Sequence, residues 1–155
     1  IGNAPTPCMR QLLDVFERYG GPVIAVERVA RERLHLYGII AARPVADNVY
    51  EITDLVEKPR AQDAPSDLAI IGRYVLTPDI FEILAETAAD ARGEIQLTDA
   101  LRPLRRRRPM YAVAFEGKRY DTGDKLGFLK ATVEFALGRP DLADEFRAYL
   151  KSLPL

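Results

Sequence analysis

The stretch GIIAARPVADNVYEITDLVEKP, from Gly38 to Pro59, carries the pattern on which the rest of the chain can be laid out. Its apolar and β-branched runs, Gly38-Ile39-Ile40-Ala41-Ala42 and Val49-Tyr50-Glu51-Ile52, flank turn-forming residues from Pro44 to Asn48, which predicts a β-hairpin. The second strand continues to Val56 and is stopped by Pro59, because proline cannot donate to a sheet ladder. Upstream, Thr6-Pro7 reads as a helix cap with proline in the first helical position, and Met9, Leu12, Leu13 and Phe16 follow at helical spacing until Gly20-Gly21. Pro22 to Glu27 is short, apolar and β-branched, as suits a strand buried on both faces, whereas Arg28 to Leu36 is charged and has no clean period.

Downstream, Arg60 to Asp67 is polar, contains Pro65 and reads as a surface loop. Leu68 to Leu76 has the apolar content of a central strand, and Thr77-Pro78 repeats the cap-plus-proline start ahead of Phe81 and Leu84. Gly93-Glu94-Ile95-Gln96-Leu97-Thr98-Asp99 leads into a helix through Leu101 and Leu104, and Met110 to Phe115 alternates as a strand. After a loop at Glu116 to Asp124, Leu126, Leu129, Val133 and Leu137 mark a helix closed by Gly138 and Pro140, and a last helix carries Leu142, Phe146 and Leu150. This order predicts a mixed α/β fold whose sheet, partly antiparallel, is flanked by helices.

The 155 residues suit one domain over 1–155, and the 48% hydrophobic content can fill its core. The 22 Lys+Arg and 23 Asp+Glu nearly cancel, so no global field draws nucleic acid or an anionic membrane. No apolar run has transmembrane length, and Ile1 to Arg10 lacks the basic start and apolar stretch of a signal peptide, so a cytoplasmic protein is expected. Cys8 is the only cysteine and His35 the only histidine, which excludes disulfide frameworks, Cys/His zinc sites and His-relayed nucleophiles within this chain. Chemistry must run on carboxylates, lysines or arginines, backbone amides and a hard metal ion.

Glu57-Lys58-Pro59 sits at a strand end, and Pro59 biases Lys58 to an extended backbone. A carboxylate there can accept from sugar hydroxyls and an ammonium can neutralise a phosphate; the plain alternative is a surface ion pair ending the strand. In Tyr120-Asp121-Thr122-Gly123-Asp124-Lys125, Asp121 can offer a carboxylate to magnesium, while Thr122 or Asp124 can cap the next helix. Gly38 and Gly72 lie in predicted strands, where glycine marks a bulge, close packing or a ligand against the backbone. Arg105 to Arg108 falls in the last turn of a predicted helix, where cations suit the dipole, and so reads as a solvated helix end rather than a nucleic-acid patch. His35 has no second ligand beside it, and Cys8 lies inert in a helix start.

Taken together, Leu36-Tyr37-Gly38-Ile39-Ile40, Leu55-Val56-Glu57-Lys58-Pro59, Leu68-Ala69-Ile70-Ile71-Gly72-Arg73-Tyr74, Gly93 to Asp99, and Gly117 to Lys125 with Leu126 to Glu134 resemble the bacterial UTP-glucose-1-phosphate uridylyltransferases of the sugar-nucleotidyltransferase family. The resemblance implies the C-terminal, sugar-binding part of a Rossmann-like fold. The family's N-terminal half, with its glycine-rich nucleotide loop and first metal-binding aspartate, has no counterpart in these residues. It also implies an enzyme joining UTP and glucose 1-phosphate into UDP-glucose and pyrophosphate, inactive as this half alone. Glu57 would hold sugar hydroxyls, Lys58 the attacking phosphate, Gly38 and Gly72 the sugar ring, and Asp121 Mg2+. Glu94 and Asp99 match the family without a role beyond ordering the loop and helix start. The alternatives are a non-catalytic sugar-phosphate-binding module and a sister enzyme using dTTP or ATP. With the first half missing, the sheet is expected to expose an unpaired edge through which the chain forms a homo-oligomer.

Overall fold

The computed structural model describes residues 4–154. Ile1 to Asn3 and Leu155, which the one-domain expectation and the reading of the N-terminus take in, lie outside the described residues. The chain divides into two compact units, one from Cys8 to Phe115 and the other from Glu116 on, with residues 4–7.

The first unit holds five strands, β1 (Val23–Arg28), β2 (Gly38–Ala46), β3 (Val49–Glu57), β4 (Leu68–Val75) and β5 (Tyr111–Ala114), and three helices, α1 (Cys8–Tyr19), α2 (Ile80–Glu86) and α3 (Leu97–Arg107). The hairpin forms between β2 and β3, but its turn is tighter than the sequence indicates. Asp47 and Asn48 alone make it, with Asn48 at a left-handed φ of 56° that asparagine tolerates, and Pro44 lies inside β2 opposite Tyr50. Lacking an N–H, Pro44 cannot continue the ladder, and the register shifts between it and Ala46.

β1 pairs antiparallel with β4 on one side and parallel with β5 on the other, and its first four residues are buried, as its unbroken apolar run requires. β3 also pairs with β5, and a bridge between Ile39 and Ala69 joins β2 to β4. The sheet therefore closes in the order β1-β4-β2-β3-β5. This corrects the expected unpaired edge: β5 pairs with both β1 and β3, and the edge-pairing route to a homo-oligomer disappears with it.

The core gathers Ile24, Val26, Ile40, Ile52, Leu55, Leu68 and Ile70 from the strands with Ile80 and Ile83 of α2 and Leu101 and Leu104 of α3. Phe81, expected to mark the apolar face of α2, is 73% exposed, because the buried face is set by Ile80 and Ile83. Likewise α1 buries Cys8, Leu12 and Val15 and leaves Met9 and Leu13 outward. The charged segment before β2 forms a 3-10 helix, Arg31–Leu36, whose Leu34 joins Ile39 and Ala69 in a second apolar cluster. In the other unit, α4 (Lys125–Leu137) and α5 (Ala143–Ser152) follow a loop. No helix among the described residues is long and apolar enough to cross a membrane.

Candidate functional site

Glu57 is the last residue of β3 and pairs with Gly38, the first of β2, so the hairpin's open end carries both. Lys58 leaves the ladder in a left-handed conformation with φ of 43°, which corrects the expected extended backbone. Its N–H donates to the Tyr37 carbonyl at 3.0 Å, and this hydrogen bond holds the backbone turn against the preference imposed by Pro59. Lys58 Nζ stands 3.5 Å from Glu57 Oε1, with the lysine side chain 44% exposed and the glutamate 22%. A pair this open and long contributes little to stability, and the ammonium stays available to an anion.

The other carboxylate oxygen of Glu57 turns over Gly38. A β-carbon added at Gly38 would sit 3.1 Å from Glu57 Oε2, 3.0 Å from Thr98 Oγ1 and 3.2 Å from Ile70 Cδ1, so glycine is what lets these groups converge. Tyr74 of β4 also senses the carboxylate: its phenol pKa is raised, by burial first and then by the charge of Glu57. Sequence reasoning passed over both Thr98 and Tyr74. Thr98 stands three residues before the buried Leu101 on the core-facing stripe of α3, a place where a polar residue is itself a signal. Gly72 is different: it has φ of 73° and open space where a β-carbon would be. It lies in a bulge of β4 between Ile70 and Tyr74, which pair with Val26 and Ile24, so the bulge explanation applies to its backbone.

The remaining motifs serve the scaffold. Asp90 accepts from the N–H groups of Arg92 and Glu94 and from the Gln96 side chain, which holds its carboxyl down to about 2, the bond from Glu94 being the main cause. Glu94 accepts from Gln96 at 3.1 Å, and Asp99 lies in the first turn of α3, where its charge suits the helix dipole. Of the four arginines ending α3, Arg107 and Arg108 pair with Glu82 and Asp79 at 3.4 and 3.2 Å. Ser66 donates to the Ile40 carbonyl and accepts from Leu68 N–H, His35 is exposed, and burial raises the Cys8 thiol pKa.

In the second unit, Asp124 caps α4 by accepting from Gly127 N–H at 2.7 Å. Asp121, expected to offer a carboxylate to magnesium, is exposed, its side chain 58% open, and also orders its own loop: Oδ1 accepts from Gly123 N–H at 3.1 Å, while Oδ2 is 3.9 Å from Arg119. Its carbonyl lies so close to Gly127 that a β-carbon there would collide with it. Tyr120 anchors the loop on α4, donating to Glu134 Oε2 at 2.6 Å; Lys118 pairs with the same carboxylate. Desolvation and the bond to Glu134 push the Tyr120 hydroxyl up to about 12. Among the described residues no group of three His, Cys, Asp or Glu converges as a metal cage. A single exposed carboxylate with unfilled lone pairs nevertheless fits a hard cation whose other ligands are phosphate oxygens and water.

The nucleotidyl transferase family profile matches residues 7–136. A UTP-glucose-1-phosphate uridylyltransferase of Staphylococcus epidermidis is 44% identical over 155 residues, covering 100% of this chain and 54% of that protein. One from Bacillus subtilis is 47% identical over 148 residues, 96% of this chain and 50% of its own length. Among solved structures, a UDP-glucose pyrophosphorylase complexed with UDP-glucose shares 44% identity at a TM-score of 0.82, over 90% of this chain and 53% of that one. A UTP-bound enzyme from Acinetobacter baumannii, 32% identical, gives a TM-score of 0.84 over 99% of this chain and 53% of its own. The chain spans about half the length of the relatives it matches.

Proposed function

Because this chain belongs to the nucleotidyl transferase family, we propose that it is the sugar-phosphate half of a cytoplasmic UTP-glucose-1-phosphate uridylyltransferase. The observation that carries the reading is the open end of the β2–β3 hairpin, where Gly38, Glu57 and Lys58 present a carboxylate and an accessible ammonium over backbone that lacks a side chain. In this reading Glu57 accepts hydrogen bonds from the sugar, and Lys58 exchanges its loose contact with Glu57 for the phosphate of glucose 1-phosphate. Gly72 leaves its backbone open beside the sugar, and Asp121 holds Mg2+ together with phosphate oxygens. The ion, when bound, neutralises phosphate charge.

The reaction needs no nucleophile from the protein. An oxygen of the sugar phosphate forms a bond to the α-phosphorus of UTP, the bond from that phosphorus to the bridging oxygen breaks, and pyrophosphate leaves. Lys58 lowers the repulsion between the two phosphates and fixes the attacking group, so its effect belongs to alignment and charge stabilisation. In the full-length protein, Lys58→Ala is expected to lower kcat/KM for glucose 1-phosphate by roughly thirty-fold to nearly a thousand-fold, the equivalent of about 2–4 kcal/mol. Lys58→Arg should recover part of it. Wild-type efficiency in Lys58→Ala would return the pair to a strand terminus. Since the chain spans half of its relatives, a sugar-phosphate-binding module is the second reading, and it predicts binding of glucose 1-phosphate without UDP-glucose formation in the full-length protein.

A further inference from the structure

Thr98 is 6% exposed and is the only polar residue among the buried side chains of the described chain. Its hydroxyl makes no hydrogen bond with any described residue. No fully enclosed side-chain polar atom among the described residues lacks a partner, so the unpartnered hydroxyl is the part of Thr98 that solvent reaches. Thr98 and Glu57 meet at Gly38: the point where a β-carbon would stand is 3.0 Å from Thr98 Oγ1 and 3.1 Å from Glu57 Oε2. Glu57 Oε2 likewise has no hydrogen-bond partner among the described residues. Two unsatisfied polar atoms of opposite capacity thus face one glycine.

A carboxylate only accepts, whereas a threonine hydroxyl both donates and accepts. Solvent is the only partner the described residues leave to this hydroxyl, and neither helix nor sheet geometry asks for threonine there. A ligand hydroxyl beside Gly38 would donate to Glu57 and accept from Thr98, satisfying all three groups at once. We propose that Thr98 is a sugar-specificity residue that, together with Glu57, reads the presence and orientation of one sugar hydroxyl over Gly38. This rests on the sugar-phosphate reading above and adds to it a residue supplied by α3. A site that pairs both capacities of one hydroxyl rejects the deoxy sugar and the epimer, because either leaves buried polar groups unpaired.

The test is calorimetric titration of the full-length protein with α-D-glucose 1-phosphate and its 2-, 3-, 4- and 6-deoxy analogues. Thr98→Val keeps the shape and removes the hydroxyl; Thr98→Ser keeps the hydroxyl and removes the methyl. Wild type should bind one deoxy analogue distinctly more weakly than glucose 1-phosphate. Thr98→Val should bind glucose 1-phosphate roughly ten-fold more weakly and lose most of the discrimination against that same analogue. Thr98→Ser should retain the discrimination, which a purely packing role would not predict, and it carries the test if Thr98→Val fails to fold. Unchanged discrimination in Thr98→Val, or its loss in a folded Thr98→Ser, overturns the proposal. Glu57→Gln separates the two claims: if it weakens glucose 1-phosphate while Thr98→Val does not, only the role of Thr98 fails. If both bind as wild type does, the sugar reading fails with it.

Discussion

Lys58 holds a left-handed backbone that costs a residue with a β-carbon on the order of 1–2 kcal/mol, and it does so beside a proline that disfavours helical geometry. Glycine or asparagine would take this conformation at less cost, so the lysine stands there at the expense of stability. Two substitutions separate the backbone from the side chain. Lys58→Ala keeps the strain and Lys58→Gly relieves it, while glycine gives back about 0.5–1 kcal/mol through its freer unfolded state. Denaturant unfolding should therefore find Lys58→Gly more stable than Lys58→Ala by roughly 0.5–1 kcal/mol, with glucose 1-phosphate affinity lost equally in both. Equal stabilities would mean that the Tyr37 carbonyl, rather than the residue's own geometry, sets what that position costs.

The turn between α2 and α3 depends on one carboxylate. Asp90 is held down to about 2, below the ordinary 3.8, chiefly by the N–H of Glu94. A depressed carboxylate contributes its full share of order above 3.8 and loses it as the pH falls through about 2, so the Arg92 and Glu94 amide resonances should move together in that window. Asp90→Asn should remove the movement; a titration that persists in the variant would assign it to another acid. Asp90 was not singled out from the sequence, because its main partners are the N–H groups of Arg92 and Glu94, which carry no residue signature, with the Gln96 side chain beside them. The order of strands and helices was legible, since apolar period and proline or glycine punctuation are local. So were Gly38, Glu57 and Lys58, which two neighbouring strands bring together. What was not legible came from elsewhere in the chain: Tyr37 sets the Lys58 turn, α3 brings Thr98, and β5 seals a sheet expected to lie open.

The unit from Cys8 to Phe115 contains the whole of the main core, from Ile24 to Ala112, and closes its own sheet. A chain ended at Phe115 is thus expected to keep a cooperative thermal transition and the far-UV dichroism of a mixed α/β fold, while losing Asp121. A broad, non-cooperative melt would show that residues beyond Phe115 supply part of its stability. Closure also imposes a schedule on biosynthesis. β1 leaves the ribosome before either of its partners, β4 and, at the far end of the unit, β5. Until β5 has cleared the exit tunnel, the apolar run of β1 lacks its partner on one side, and the ring cannot shut. Such long-range pairing belongs with folding times on the order of milliseconds to seconds, set by loop closure. During translation, β1 is the segment a chaperone would be expected to hold, and a pause in synthesis before Tyr111 would prolong its exposure more than a pause after Ala114.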